Sequence, residues 1–314
     1  MNNKEEANSV FEQPWWLNIV ANEKWHELII HNKNNECISR LPYVDLSLYG
    51  IKYIGTPLFT QQMGPWFKDS EGIKTVNKIK NIKQATEQFI NLLNNTKNVD
   101  LYFHNSFYYV LPFIWHGYKV TPYFSYIIDN LEDLNKVFNN MDSKVRNSIR
   151  SAEKNLDITF SVRVEDLIML LEETFNRQKR KLPFDKNMII NIYNESISRG
   201  AGKIIGAIDK STGKIASVVF LLYDKNTCYY LFGGKNYNMK NCGAQELILW
   251  EGIKFASKVS KKFDFEGSMI PNIESFFRGF GGKPVVYYRV FKGSILFKLL
   301  HFTKPFIKKI LKYK

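Results

Sequence analysis

Cysteine is scarce in this chain. Three occur in 314 residues, at Cys37, Cys228 and Cys242, and no two are close enough for a CxxC pair. That excludes a disulfide framework and a thiolate zinc site, and it fits a reducing compartment. Histidine is scarce as well, five in all with none clustered beside a cysteine, so no metal is expected. Long apolar runs are missing: nowhere do about 18 apolar residues follow one another, so no spanning helix is expected. The opening Met1-Asn2-Asn3-Lys4-Glu5-Glu6 lacks the apolar stretch of a signal peptide. Together these absences predict a cytoplasmic protein. Acidic residues are also in deficit, 30 against 44 Lys and Arg, for a net charge of +14. Such an excess suits an anionic partner, such as cofactor phosphates, a nucleic acid or a lipid surface; a generally Lys- and Asn-rich proteome would produce it too.

What is present is enough apolar material, 45% of residues, for one large or two medium cores. The second half is the more legible. Residues 203–209 and 214–223 are Ile- and Val-rich runs separated by Lys210-Ser211-Thr212-Gly213, and a further turn leads into 227–232, which predicts a three-strand meander. A helix over 244–258, a strand over 262–266, a short helix over 271–280 and a strand over 284–291 follow. Two helices, 164–175 and 185–199, precede the meander; Val164, Leu167, Ile168, Leu171 and Phe175 share one face of the first. The first half repeats this order more loosely. Strands fall near 26–31, 36–41 and 51–54, then a long loop over 55–78, a helix over 79–93, a strand over 99–103, a short helix over 107–115 and a strand over 123–128. A helix over 143–155 joins the halves. The expected class is α+β (mixed α/β), with tandem domains of one fold: 1–140, 141–291 and a basic amphipathic tail over 292–314.

One segment concentrates polar chemistry at the end of a buried element. Along Phe263-Asp264-Phe265-Glu266-Gly267-Ser268, alternation puts the phenylalanines on one face and the carboxylates on the other. Gly267 permits a sharp turn, Ser268 can contact a freed N–H, and Pro271 suits the first turn of a new helix. The segment reads as the wall of a cleft or, more plainly, as a strand end with solvated acids. Upstream, Lys240-Asn241-Cys242-Gly243-Ala244 leads into a helix start and is a candidate phosphate cradle, with Gly233 and Gly234 ending the strand before it. Cys242 has no histidine near it in sequence and reads as a small loop residue.

The element order resembles that of the GNAT acyltransferase fold, and four stretches narrow the resemblance to its Fem-type (FemAB-like) tandem branch. They are Glu12-Gln13-Pro14-Trp15-Trp16, the run from Pro57 through Gln61-Gln62-Met63-Gly64-Pro65-Trp66, Lys144 through Lys154, and Phe263 through Gly282. The resemblance implies that strands 227–232 and 262–266 are parallel and splay apart to admit an acyl-donor thioester, with a free N–H at Gly233 or Gly234 polarising its carbonyl. It implies an enzyme moving an acyl or aminoacyl group onto an amine in cell-envelope or polysaccharide assembly. The glycine loop departs from the closely spaced glycines usual after an Arg or Gln in that fold.

On that basis Glu266 is expected to accept the amine proton and Asp264 to bind the acceptor, with Ser268, Tyr287 or Tyr288 relaying a proton to the leaving group. Acyl-CoA, acetyl-CoA foremost, is the expected co-substrate, held by Gly233, Gly234, Lys240, Asn241, Cys242 and Gly243. Gln61, Gln62 and Trp66 of the long first-half loop, Arg146 and Arg150 on one face of the joining helix, and Arg278 are the expected substrate contacts. Arg278 is expected either to pair with Asp264 or Glu266, or to form a structural salt bridge. The tail mixes seven lysines with Ile295, Leu296, Leu299 and other apolar residues, as in a helix lying on a membrane surface or docked on the body with its lysines reaching out. The acceptor is expected to be a small-molecule or lipid-linked amine at the inner face of the membrane. Two alternatives stand beside this: an aminoacyl-tRNA-dependent peptidoglycan aminoacyltransferase, which the charge suits although no coiled-coil insertion is evident, and a non-catalytic envelope-associated binding protein.

Overall fold

The structure, a computed structural model, describes residues 6–69, 72–177, 179–239 and 243–301. In chain order the elements are α1 (Pro14–Val20), β1 (Trp25–His31), β2 (Cys37–Leu48), β3 (Ile51–Gly55), β4 (Trp66–Phe67), α2 (Thr75–Leu93), β5 (Val99–Tyr102), α3 (Leu111–Trp115) and β6 (Lys119–Ile128). There follow α4 (Leu134–Asn139), α5 (Ser143–Asn155), β7 (Leu156–Thr159), α6 (Val164–Arg177), α7 (Lys186–Ser198), β8 (Gly202–Asp209), β9 (Ile215–Tyr223) and β10 (Thr227–Lys235). The last are α8 (Ala244–Val259), β11 (Lys262–Asp264), α9 (Pro271–Gly279) and β12 (Lys283–Lys292). Two compact units emerge: residues 1–123 with 286–314, and residues 124–285. The expected division at 140/141 therefore differs from these units. The chain enters the second unit within β6 and leaves it within β12, so the last strand, expected in the C-terminal domain, returns most of its length to the first unit. There Arg289 to Lys292 pair antiparallel with Tyr102 to Val99 of β5.

In the first unit the strand order is β1-β2-β3-β5-β12, with β4 on β2 and only the β3–β5 contact parallel. Helix α2 covers it through Ile82, Ala85, Phe89, Ile90 and Leu93, at helical spacing. The tryptophan pair predicted to open a helix does so: Pro14 sits at its first turn, and Trp16 is fully buried with its indole N–H on Thr60 Oγ1 at 2.9 Å. Buried Glu12 accepts from Asn8 N–H at 3.0 Å and from Gly64 N–H at 2.7 Å, tying the first two motif stretches together. Of the tail, residues to 301 are described. Phe297 is buried against Phe291 and Tyr53, whereas Ile295, Leu296 and Leu299 are exposed. The rest of the expected tail, 302–314, lies outside the described residues.

In the second unit the order is β6-β11-β10-β9-β8-β7, antiparallel throughout except that β11 runs parallel to β10. The predicted meander is β8-β9-β10. Val219, Leu221, Ala216 and Cys228 on one face pack on Leu247, Ile248, Ile253 and Ala256 of α8, and Phe263, Phe265, Phe277 and Phe280 extend that core. The full burial of each such phenylalanine contributes about 1.5–3 kcal/mol. The opposite face takes α6: Leu170 packs so closely on Gly234 that a Cβ there would lie 2.6 Å from the Leu170 Cβ.

Candidate functional site

The site lies within the second unit and begins with a mismatch of strand lengths. Strand β10 continues to Lys235, paired with β9 from Cys228 onward apart from a bulge at Leu231, but β11 accompanies it only over Thr227↔Lys262, Cys228↔Phe263 and Tyr229↔Asp264. Beyond Tyr229 one edge of β10 is left without a neighbouring strand among the described residues. Asn236 N–H donates to Ala216 O on β9 at 2.9 Å. Because amides alternate sides along a strand, those of Gly234 and Asn236 face β9 and that of Gly233 faces the uncovered edge. The resemblance implied an open edge here; it arises because β11 ends at Asp264, and Gly233 carries the outward donor.

Strand β11 stops short of the predicted 262–266 because Glu266 and Gly267 both take positive φ, 56° and 57°. Only glycine fits at 267, since a Cβ would sit 2.2 Å from Phe124 O. The turn brings the two acids together rather than leaving them spaced along a strand. Glu266 N–H donates to Asp264 Oδ1 at 2.7 Å, and the Ser125 hydroxyl donates to the same oxygen. Phe263 and Phe265, with ring centroids 4.9 Å apart, stay on the α8 side, so Asp264 and its partner Ser125 lie on the α6 side.

Burial dominates the electrostatics here. Asp264 is 2% exposed, and desolvation pushes its carboxyl up to about 6 despite the Ser125 and Glu266 hydrogen bonds that favour the charged form. Desolvation, then the nearby Asp264 charge, raise Glu266 well above the ordinary carboxylate range. Although the Glu266 residue is only half-buried, its Oε1 is sealed from solvent and has no hydrogen-bond partner. A buried carboxyl oxygen without a donor costs stability, and such groups concentrate at functional sites.

On the other side of β10 lies a polar chain that sequence reading missed. Ser217 Oγ contacts Gly234 O and Gln245 Oε1, both at 2.8 Å, and Gln245 Nε2 donates to Tyr230 Oη at 3.1 Å. The phenol lies directly over Gly233, where an added Cβ would come within 2.0 Å of its oxygen, and burial raises its pKa. Ser217, Gln245 and Ser125 carry no motif; the one available signal was the position of Gln245 in the first turn of the helix after the glycine loop. Gly243 caps that helix at φ 72°, and a Cβ on it would lie 2.6 Å from Ser148 O of α5. The other expected cradle residues, Lys240, Asn241 and Cys242, lie outside the described residues.

The remaining predicted residues are engaged elsewhere. Ser268 Oγ accepts from Ile270 N–H at 3.0 Å, shaping the entry to α9. Arg278 pairs with Glu274 one turn back at 2.9 Å rather than with either site acid. Arg146 donates to the carbonyls of Asn139 and Met141 at the end of α4, and Arg150 lies 5.4 Å over the Phe138 ring, so the shared face of α5 rests on α4. In the first unit, Gln62 Oε1 holds Asn105 N–H at 2.8 Å and its amide contacts Gln61; Trp66 lies in β4, its carbonyl accepting from Ser39; Tyr288 packs against the unit's apolar core while its carbonyl accepts from Phe103 N–H.

Residues 139–267 match the family model described as an acetyltransferase (GNAT) domain. Among solved structures the chain is similar to FemX, at 11% identity and a TM-score of 0.69 over 92% of this chain and 96% of that one. It is similar to L-PGS from Bacillus licheniformis, at 11% identity and 0.54, over 96% and 98%. It is also similar to a tandem GNAT protein from the clavulanic acid biosynthesis pathway, at 8% identity and 0.50, over 85% and 82%. No curated protein matches the sequence. Residues 139–267 thus match an acetyltransferase (GNAT) domain, and the chain shares the fold of FemX and of the tandem GNAT protein.

Proposed function

We propose that the enzyme transfers an acyl group, an acetyl group in the first instance, from acyl-CoA to an amine of a sugar or other cell-envelope or polysaccharide precursor. The observation that carries this reading is the orphaned Glu266 Oε1, on the residue two past the end of β11, where β10 loses its neighbour. An incoming ammonium supplies both the donor that Glu266 Oε1 lacks and the positive charge that ionises it. Glu266 then takes one proton from the ammonium, which frees the nitrogen lone pair to attack the thioester carbonyl. The carbonyl oxygen, negative as the N–C bond forms, is received by the Gly233 N–H. As the C–S bond breaks, the Tyr230 hydroxyl beside Gly233 gives its proton to the departing thiolate, and the second proton that the nitrogen sheds as the amide forms restores the phenol through solvent. Asp264 orients the Glu266 backbone through their 2.7 Å bond.

A second donor, aminoacyl-tRNA, is favoured by the net charge of +14 and uses the same carboxyl and N–H. Exposed Ile295, Leu296 and Leu299, leading into the lysine-rich tail, support contact with a membrane surface and hence a lipid-linked acceptor. No helix among the described residues is long and apolar enough to cross a membrane. The test is thiol release from acetyl-CoA in the presence of amino sugars and their nucleotide- or lipid-linked forms. Release that depends on the amine and collapses in Glu266→Gln supports the reading. Transfer from charged tRNA with no thiol release under any amine refutes acetyl-CoA as donor.

A further inference from the structure

A second buried carboxyl oxygen without a partner lies on α6, the helix that covers the face of β10 on which Asp264 lies. Glu173 Oε2 is sealed from solvent and bonded to nothing. Its place is fixed by the contacts of α6 on either side. Three residues earlier, Leu170 abuts Gly234; four residues later, the Arg177 guanidinium stacks at 4.3 Å on Tyr237, just past the end of β10. Residues 170, 173, 174 and 177 share a helix face, and Thr174 is anchored by its hydroxyl on Leu170 O at 2.9 Å. Glu173 is therefore directed at the C-terminal end of β10, on the side of the sheet where Asp264 lies. Between it and the Asp264–Glu266 turn runs the part of β10 that β11 leaves uncovered.

A carboxyl in that position forgoes the hydrogen bonds that water would give it, a cost that a structural residue normally offsets with an internal donor. Glu173 has none. We propose that Glu173 is a binding residue for a second ammonium group of the substrate, so that the site takes molecules carrying two cationic amines, one reacting at Glu266 and one held at Glu173. The proposal rests on the acyl-transfer reading of this site and narrows its substrate class to diamines and to diamino acids and their conjugates. It also explains why two unsatisfied carboxyl oxygens persist in one unit: each is completed by the ligand.

The test measures binding without an acyl donor. Ligand-observed NMR is run with linear α,ω-diaminoalkanes of about three to eight carbons and the matching monoamines, against wild type, Glu173→Gln and Glu173→Asp. A diamine of one favoured length is expected to bind wild type about tenfold more tightly than its monoamine, and the ratio should fall to about one in Glu173→Gln. Glu173→Asp, one methylene shorter, should move the favoured length up by about one carbon. The thermal midpoint of Glu173→Gln should be no lower than that of wild type, because no internal bond is lost. Absence of any diamine preference in wild type, its survival in Glu173→Gln, or a large drop in that midpoint overturns the proposal. Failure of thiol release would bear on the transfer reading alone, since no donor is present here.

Discussion

Replacing Asp264 by Asn tests whether the site is held at the expense of stability. Both hydrogen bonds to this side chain, from Ser125 Oγ and from Glu266 N–H, arrive at Oδ1. An asparagine whose Oδ1 takes the same place keeps both of these hydrogen bonds and removes the titrating charge. Burial raises the Asp264 pKa from an ordinary 3.8 to about 6, and that rise corresponds to about 3 kcal/mol. The sign follows from proton counting. Below about pH 3 the carboxyl is protonated in both states and carries no penalty. As pH rises towards 6 the unfolded chain releases its proton while the folded protein retains it, so the unfolded state binds fewer protons and stability falls. Above pH 6 the whole cost is present. Glu266, raised in part by the Asp264 charge, acts in the same direction. Urea unfolding of wild type and Asp264→Asn at several pH values between about 3 and 7 is the assay. The variant should gain on wild type by about 3 kcal/mol from the acid end to the neutral end. A difference that does not change with pH would falsify the burial argument, and a variant that loses ground as pH rises would mean that an unseen cation satisfies Asp264.

Glu266→Gln should lower turnover by about 100-fold or more with no loss of thermal stability, since its free oxygen has no partner to lose; equal turnover in the steady state would remove it from the chemistry. Gly243→Ala should cost about 1–3 kcal/mol by chemical denaturation, because its left-handed backbone and the Ser148 carbonyl 2.6 Å from the new Cβ both oppose it; an unchanged midpoint would show that α5 can yield there. Tyr230→Phe should keep the fold but slow thiol release, most with donors whose leaving group is more basic; a rate independent of leaving-group basicity would take the phenol out of proton transfer. Arg278→Ala should leave the unfolding midpoint almost unchanged, as expected of an exposed pair one helical turn apart, and should leave turnover unaltered.

Much of the second unit was legible because local pattern and tertiary role agree there. The turn at 210–213, the apolar strands on either side and the helix after Gly243 each carry their own signal within a dozen residues. The parallel pair β10–β11 was implied by the resemblance to the GNAT fold, which the order of elements carried. Short elements were missed: α4 and β7 are too brief for periodicity to show, and β4 is two residues of a loop set in place by β2. Arg278 was expected to reach the site acids or to form a structural salt bridge; Glu274, four residues earlier in α9, is nearer and takes it.

The sequence by itself determined the class of fold, the site of the turn at Gly267 and the presence of two acids before it, because alternation, turn chemistry and apolar spacing are local properties. What those acids are was decided by tertiary structure. Ser125, 139 positions away, converges on Asp264 only when β6 lies along β11. Burial that raises both carboxyls, and the lack of a donor at Glu266 and at Glu173, arise from what the surrounding chain does not supply. The return of β12 to the first unit is of the same kind. Strand partners and dielectric surroundings are set by residues far apart in the chain, and no local pattern encodes them.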